Sequence, residues 1–212
     1  IDEKTIISGV VDYPEEYILN YNHIKYKNSR HFKIYEDSNT IDLAPDRIVA
    51  MNMGFKNSIE IKNLGYFDER FVGYGFEDYE FAYRYKEQGF KLKQTKARVI
   101  HDEGEPEIKK YIRKYYHLGR DGMKNLLVIN KLSAKSTIYY KIETNFFIKL
   151  ITKIPQFSNL LILIEKLILK TDKNSSISFP ILYNFLRLSS YLRGFIDREN
   201  KNLDSKNRNW YE

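Results

Sequence analysis

The sequence predicts an α/β domain followed by a purely helical region. Two observations carry this. Short β-rich runs at Thr5–Val11 and Arg47–Phe55 alternate with a segment of helical period after Gly75. From Ser133 onward the pattern is helical throughout. With 212 residues, the chain is long enough for one substantial domain with a helical appendage. We place the boundary at residue 130, with 1–130 the α/β part and 131–212 the helical part.

In the first part, Ile6, Ile7, Val10 and Val11 suggest a strand that ends at Asp12 and Pro14. Asn20–Thr40 is polar and rich in Asn and Lys, and reads as a long mobile loop with short helical turns. Arg47–Phe55 reads as a buried strand that delivers Asn52 to the edge of a site. Asn57-Ser58 caps a short helix carrying Ile59, Ile61 and Leu64, which stops at Gly65. After Gly75, Phe76, Tyr79, Tyr83 and Phe81, Tyr85 recur at helical spacing until Gly89. Phe90–Leu92 and Ala97–Ile100 read as two short strands, the second leading to His101. Pro106 opens another helix, expected to kink near Gly119 or Gly122 and to run towards Ile129.

Phe146–Ile154, Phe157–Leu169 and Phe179–Ile196 are apolar-rich helices, but Lys149, Lys153, Glu165 and Lys166 interrupt any membrane-spanning run. Leu160–Ile164 is apolar on nearly every face and is expected to pack on a core, a partner or a membrane surface. The tail Asp197–Glu212 is polar and expected to fray.

Composition narrows function by exclusion. The chain has no cysteine, which removes disulfides and thiolate metal sites. The net charge of +7 comes from 35 basic and 28 acidic residues. The two signs are interleaved rather than gathered into a stripe, which argues against a nucleic-acid partner. Thr5–Val11 has the character of a strand from the middle of an α/β domain, so a segment preceding Ile1 is expected.

The chemistry concentrates in Gly73-Tyr74-Gly75-Phe76-Glu77-Asp78-Tyr79-Glu80, followed at a distance by His101. Glycines on either side of Tyr74 permit a tight backbone path that a substrate can approach. Glu77 and Asp78 fall in the first turn of the helix that follows. Acids there complement the helix dipole by about 0.3–1 kcal/mol without any catalytic purpose. A carboxylate beside a glycine-lined cleft is also suited to take a proton from a hydroxyl nucleophile. The dipole is expected to keep Asp78 at a low pKa, a weak base that acts as bond formation acidifies the hydroxyl.

Met51-Asn52-Met53-Gly54-Phe55, Gly65-Tyr66-Phe67-Asp68-Glu69-Arg70-Phe71, the Gly73–Glu80 run and Arg84 together resemble successive motifs of family 2 glycosyltransferases with the GT-A fold. The nearest resemblance is to the branch with a galactosyltransferase-like C-terminal region found in chondroitin-synthase-like polymerases. It covers about residues 45–125. It implies the C-terminal, acceptor-side part of a GT-A fold with a mixed sheet. The implied activity is transfer of a sugar from a nucleotide-diphospho-sugar to a saccharide or lipid-linked acceptor, inverting and metal-dependent, in surface polysaccharide or glycolipid synthesis.

By the same resemblance Asp78 is the catalytic base, and Glu77 binds or orients the acceptor. Gly73, Tyr74, Gly75 and Phe76 form the acceptor-facing turn. Asn52 lies near the donor, and His101 is a ligand of a Mn²⁺ or Mg²⁺ ion on the diphosphate. The family's Asp-x-Asp signature does not occur before Met51, and Asp42 and Asp46 are too far apart to replace it. The main metal ligands and the nucleotide-binding half are therefore expected upstream, and without them little activity is expected. A non-catalytic carbohydrate-binding or scaffold remnant is the alternative. The enzyme is expected in the cytoplasm, on the inner face of the cytoplasmic membrane, with the C-terminal helices making peripheral contact.

Overall fold

The computed structural model describes residues 2–30, 41–102, 104–154, 156–173 and 179–200. It is an α/β protein, mostly helical, with a three-stranded mixed sheet. The chain separates into two compact units, Ile1–Arg70 with Phe76–Glu105, and Phe71–Gly75 with Pro106–Glu212. The boundary expected at residue 130 falls inside the second unit.

The first unit is built on β1 (Thr5–Asp12), flanked by β2 (Met53–Phe55) on one side and β3 (Lys91–Ile100) on the other. β2 runs antiparallel to β1 and β3 runs parallel to it. Six of the eight residues of β1 are buried, as a central strand covered on both faces requires. Between the strands come α1 (Glu15–Asn20), α2 (Asn22–Arg30), α3 (Ile59–Leu64) and α4 (Glu77–Glu87). The core joins Ile6 and Leu92 of the sheet to Ile61 of α3 and to Phe81, Ala82 and Tyr85 of α4. Phe81 and Tyr85 are one turn apart and so share a face. α3 starts and stops where expected: the Ser58 hydroxyl accepts from the Ile61 N–H, and Gly65 ends the helix at φ 77°.

Three expectations are corrected. The first half of the Asn20–Thr40 segment is helical, because His23, Ile24 and Tyr26 are buried, and tertiary packing outweighs its polar composition. Residues 31–40 of that segment lie outside the described residues. Arg47–Phe55 is not one strand. A 3-10 turn, Ala50–Asn52, precedes β2, because side chains hold it where a strand would pair: Val49 N–H donates to Ser8 and Ala50 N–H to Asp78. Ladder pairing begins only at Met53, opposite Ser8.

Phe90–Leu92 and Ala97–Ile100 belong to one strand, β3, broken in pattern rather than in backbone. Ser8 pairs with Gln94 and Val10 with Arg98, so the single residue Gly9 stands opposite Thr95-Lys96-Ala97 in a bulge. The Asn52 amide fills the bulge, donating to the Val10 and Ala97 carbonyls at 2.9 and 3.0 Å. A Cβ on Gly9 would lie 2.3 Å from that amide nitrogen, so only glycine leaves room for the stitch.

The second unit is helical. α5 (Ile108–His117) and α6 (Met123–Ile129) are joined by a π-helical stretch, Leu118–Gly122, at the site of the expected kink. α7 (Lys131–Ser136), α8 (Ile138–Thr144) and α9 (Phe146–Thr152) follow, capped by the side chains of Asn130, Thr137 and Asn145. α10 (Phe157–Lys173) and α11 (Pro180–Glu199) complete it. The expected fraying of Asp197–Glu212 falls, from residue 201, outside the described residues.

α11 is the spine of this unit. Gly194 lies against the Tyr116 carbonyl and Gly119 against the Tyr191 carbonyl, and an added Cβ at either would come within about 2 Å. α11 also buries charge. Arg193 pairs with Glu165 of α10 at 2.8 Å, both side chains being at most 1% exposed, and Ser189 donates to the same carboxylate. Arg198 donates to Glu143 of α8, as does the Tyr191 hydroxyl. Among the described residues no single helix is long and apolar enough to cross a membrane.

Candidate functional site

The run before α4 is the most constrained backbone among the described residues. Gly73 and Gly75 have φ of 91° and 106°, and Phe76, the N-cap of α4, has φ of 74°. Phe76 is the one non-glycine with positive φ among the described residues. A phenylalanine there costs about 1–2 kcal/mol, and such strain persists only where surrounding contacts over-determine it. Its ring meets Tyr79 edge-on at 6.3 Å, and its carbonyl accepts from the Glu80 N–H to start the helix. The two residues that follow this turn are Glu77 and Asp78.

Asp78 is half-buried, and its Oδ2 accepts from the Ala50 N–H at 3.0 Å. Burial pushes its carboxyl above the ordinary aspartate value; the Ala50 N–H pulls it down and the neighbouring Glu77 charge adds to the rise. The low pKa expected from the helix dipole is therefore corrected: loss of solvent dominates. A raised carboxyl binds a hydroxyl proton more readily than an exposed aspartate does. Glu77 is half-buried beside it in the same turn.

Glu80 and Arg84 have a different task. Glu80 is buried and pairs with Arg84 at 3.0 Å. The rest of the Arg84 guanidinium donates to the carbonyls of Leu64, Gly65 and Tyr66 at 2.7–3.0 Å. The Tyr85 hydroxyl adds bonds to the Ile61 and Gly65 carbonyls. These contacts anchor the end of α3 and the start of the Gly65–Phe71 motif to α4. Asp68 and Arg70 within that motif pair with each other, which holds the Asp68 carboxyl at about 2.

Asn52 and Asp78 meet the same 3-10 turn at opposite ends, Asp78 at its first N–H and Asn52 as its last residue. Both amide hydrogens of Asn52 are used inside the sheet. His101 follows β3; its N–H donates to the Asp12 carbonyl at 2.8 Å and its ring packs edge-on against Tyr13. It thus stands at the carboxyl ends of two parallel strands, where open α/β sheets place ligands. From Ala97 to His101 an extended chain covers about 13 Å, so Asn52, at the bulge, and His101, past the end of β3, stand apart. Gly73, Tyr74 and Gly75 count with the helical unit. There the Tyr74 ring faces Lys114 at 5.9 Å, and a Cβ on Gly75 would lie 2.2 Å from Leu118 Cδ1.

No protein-family profile, curated protein or solved structure matches the chain. Its residues carry the reading by themselves.

The acids nearest His101 in the fold are already engaged. Asp12 pairs with Arg98, Asp102 bonds Tyr17, and Glu105 accepts from Tyr21. Among the described residues no three His, Asp or Glu side chains converge to hold a metal. A divalent cation on a diphosphate needs several oxygen ligands. This donor set does not fit one, and His101 offers a single nitrogen. The contacts missed in the sequence are the Ala50 N–H on Asp78 and the tyrosines that engage Asp102 and Glu105. A backbone donor has no residue signature, and the tyrosines lie more than 80 residues from their partners.

Proposed function

We propose that this chain is the acceptor-side part of a glycosyltransferase that uses a nucleotide-diphospho-sugar, with a GT-A type of sheet. The observation that carries the reading is Asp78: a half-buried carboxylate with raised proton affinity, held by the Ala50 N–H directly after a strained turn. Asp78 takes the proton of the acceptor hydroxyl on Oδ1, while Oδ2 stays on the Ala50 N–H. The freed oxygen pair forms the new bond to the anomeric carbon as the bond from that carbon to the diphosphate breaks, and the nucleotide diphosphate leaves with the electron pair. Single displacement inverts the anomeric centre. Glu77 orients the acceptor, and Phe76, at the strained start of α4, lies beside Glu77 in the chain. The residues present supply no ligand set for a cation, so no step is assigned to one. A nucleotide-sugar donor places the reaction in the cytoplasm, and a lipid-linked or saccharide acceptor suits surface polysaccharide or glycolipid synthesis.

The test is sugar transfer from a panel of nucleotide-diphospho-sugars, measured for wild type and Asp78→Asn in the polypeptide as the cell makes it. Transfer is expected to fall by about 10²–10⁴-fold with donor binding unchanged. Near-wild-type transfer by the variant sinks the base assignment.

A further inference from the structure

The helices α9 and α10 carry an apolar outer face within the second unit. Phe146, Phe147 and Leu150 of α9, and Leu160, Leu163 and Leu167 of α10, are each 50–72% exposed. The inner face of α10 is already satisfied: Leu161 packs with Leu192 and Ile196 of α11, joined by Ile148 and Phe157. Leu160, Leu163 and Leu167 recur at helical spacing, so they form one stripe rather than scattered exposures.

Among the described residues of α9 and α10, the charged side chains that border this stripe are lysines. Lys149, Lys153, Lys166 and Lys170 are all exposed. At about 100° per residue, Lys166 and Lys170 border one edge of the Leu160–Leu167 stripe. Lys149 and Lys153 border the α9 stripe in the same way. The two acids between Phe146 and Lys173 do not face the stripe: Glu165 is buried on Arg193, and Asp172, bonded by the Tyr183 hydroxyl, falls about 180° from Leu163 around the helix. An apolar stripe edged by lysines suits a bilayer interface, where lysine stems can lie along apolar surface with the ammonium groups at the headgroups.

We propose that α9 and α10 form a docking surface for an anionic lipid bilayer, lying in its interface. The inference stands apart from the glycosyltransferase reading, since it rests on other residues and needs no activity. The charge decides the occupant: a second copy of the chain would bring four further lysines onto the same face.

The experiment is flotation of the full chain with vesicles of phosphatidylcholine alone or mixed with phosphatidylglycerol, at low and high salt. Binding to the mixed vesicles is expected at low salt and weakens at high salt. Each lysine changed to glutamine is expected to lower partitioning about fivefold. Leu163→Gln with Leu167→Gln is expected to abolish binding with the circular dichroism unchanged, because both side chains are solvent-exposed. The proposal is overturned if wild type stays unbound with anionic vesicles at low salt. It is equally overturned if the four-lysine variant floats like wild type, or if the leucine substitutions instead disperse a dimer that binds no vesicles.

Discussion

Asp78 takes its character from two neighbours it does not share a helix with in sequence: bulk that removes water and the Ala50 N–H that holds one oxygen. Because its carboxyl is raised on folding, the folded chain holds this proton more tightly than the unfolded chain. The linked stability is full below the ordinary aspartate range and is lost as pH rises through the raised value. Asp78→Asn keeps an oxygen for the Ala50 N–H and discards the buried charge. Thermal melts at neutral pH should therefore find the variant at least as stable as wild type, even as transfer collapses. Wild-type transfer should rise with pH through the raised carboxyl value, and this acid limb should vanish from the residual activity of the variant. Gly75 meets a purely steric demand. An alanine there has an unfavourable φ and a Cβ 2.2 Å from Leu118. Urea unfolding should show Gly75→Ala destabilised by about 1–3 kcal/mol. A change below the error of the measurement would mean that Leu118 gives way freely.

At the scale of elements, α4 is tied to the end of α3 by one guanidinium. Arg84 bonds three consecutive carbonyls and the buried Glu80 carboxylate. Arg84→Ala removes the ion partner of that buried carboxylate, and the expected loss is about 3–5 kcal/mol. Arg84→Lys should recover only part of it, because one ammonium cannot span the same fork of acceptors. Equal stability of the lysine variant and wild type in urea would contradict this account. The elements themselves were legible to different degrees. α3 and α4 were readable because Ser58, Gly65 and Gly89 are local stop and start signals. α1 and α2 were not: α1 buries no residue, and the few apolar positions of α2 owe their burial to distant packing. β3 looked like two strands because Lys93–Lys96 interrupts its apolar pattern, while the bulge that keeps the backbone continuous depends on Gly9 and Asn52.

For the molecule as a whole, the helical unit places ionised groups in its interior. Glu165 and Arg193 are almost fully buried and matched to each other. Removing one partner leaves a buried charge, so Glu165→Leu or Arg193→Met alone should cost about 3–5 kcal/mol. The combined Glu165→Leu and Arg193→Met replacement should lie near wild type, because the cost of burying both charges disappears with them. A double-mutant cycle in guanidinium chloride checks this; strictly additive losses would show that the pair is not coupled.

What the sequence by itself determined is what neighbours in the chain write: helix caps and stops, an irregularity at Leu118–Gly122, the apolar helices α9 to α11, and the acidic pair after the glycine turn. Tertiary structure decided the surroundings of the acids there: Asp78 loses solvent and meets the Ala50 N–H, while Glu80 is buried on Arg84. Asp78 meets Ala50 across 28 residues, Asn52 meets Val10 across 42, and Glu165 meets Arg193 across 28. Proton affinity, bulge geometry and buried pairing depend on solvent exclusion by residues brought together only on folding, so no local pattern encodes them.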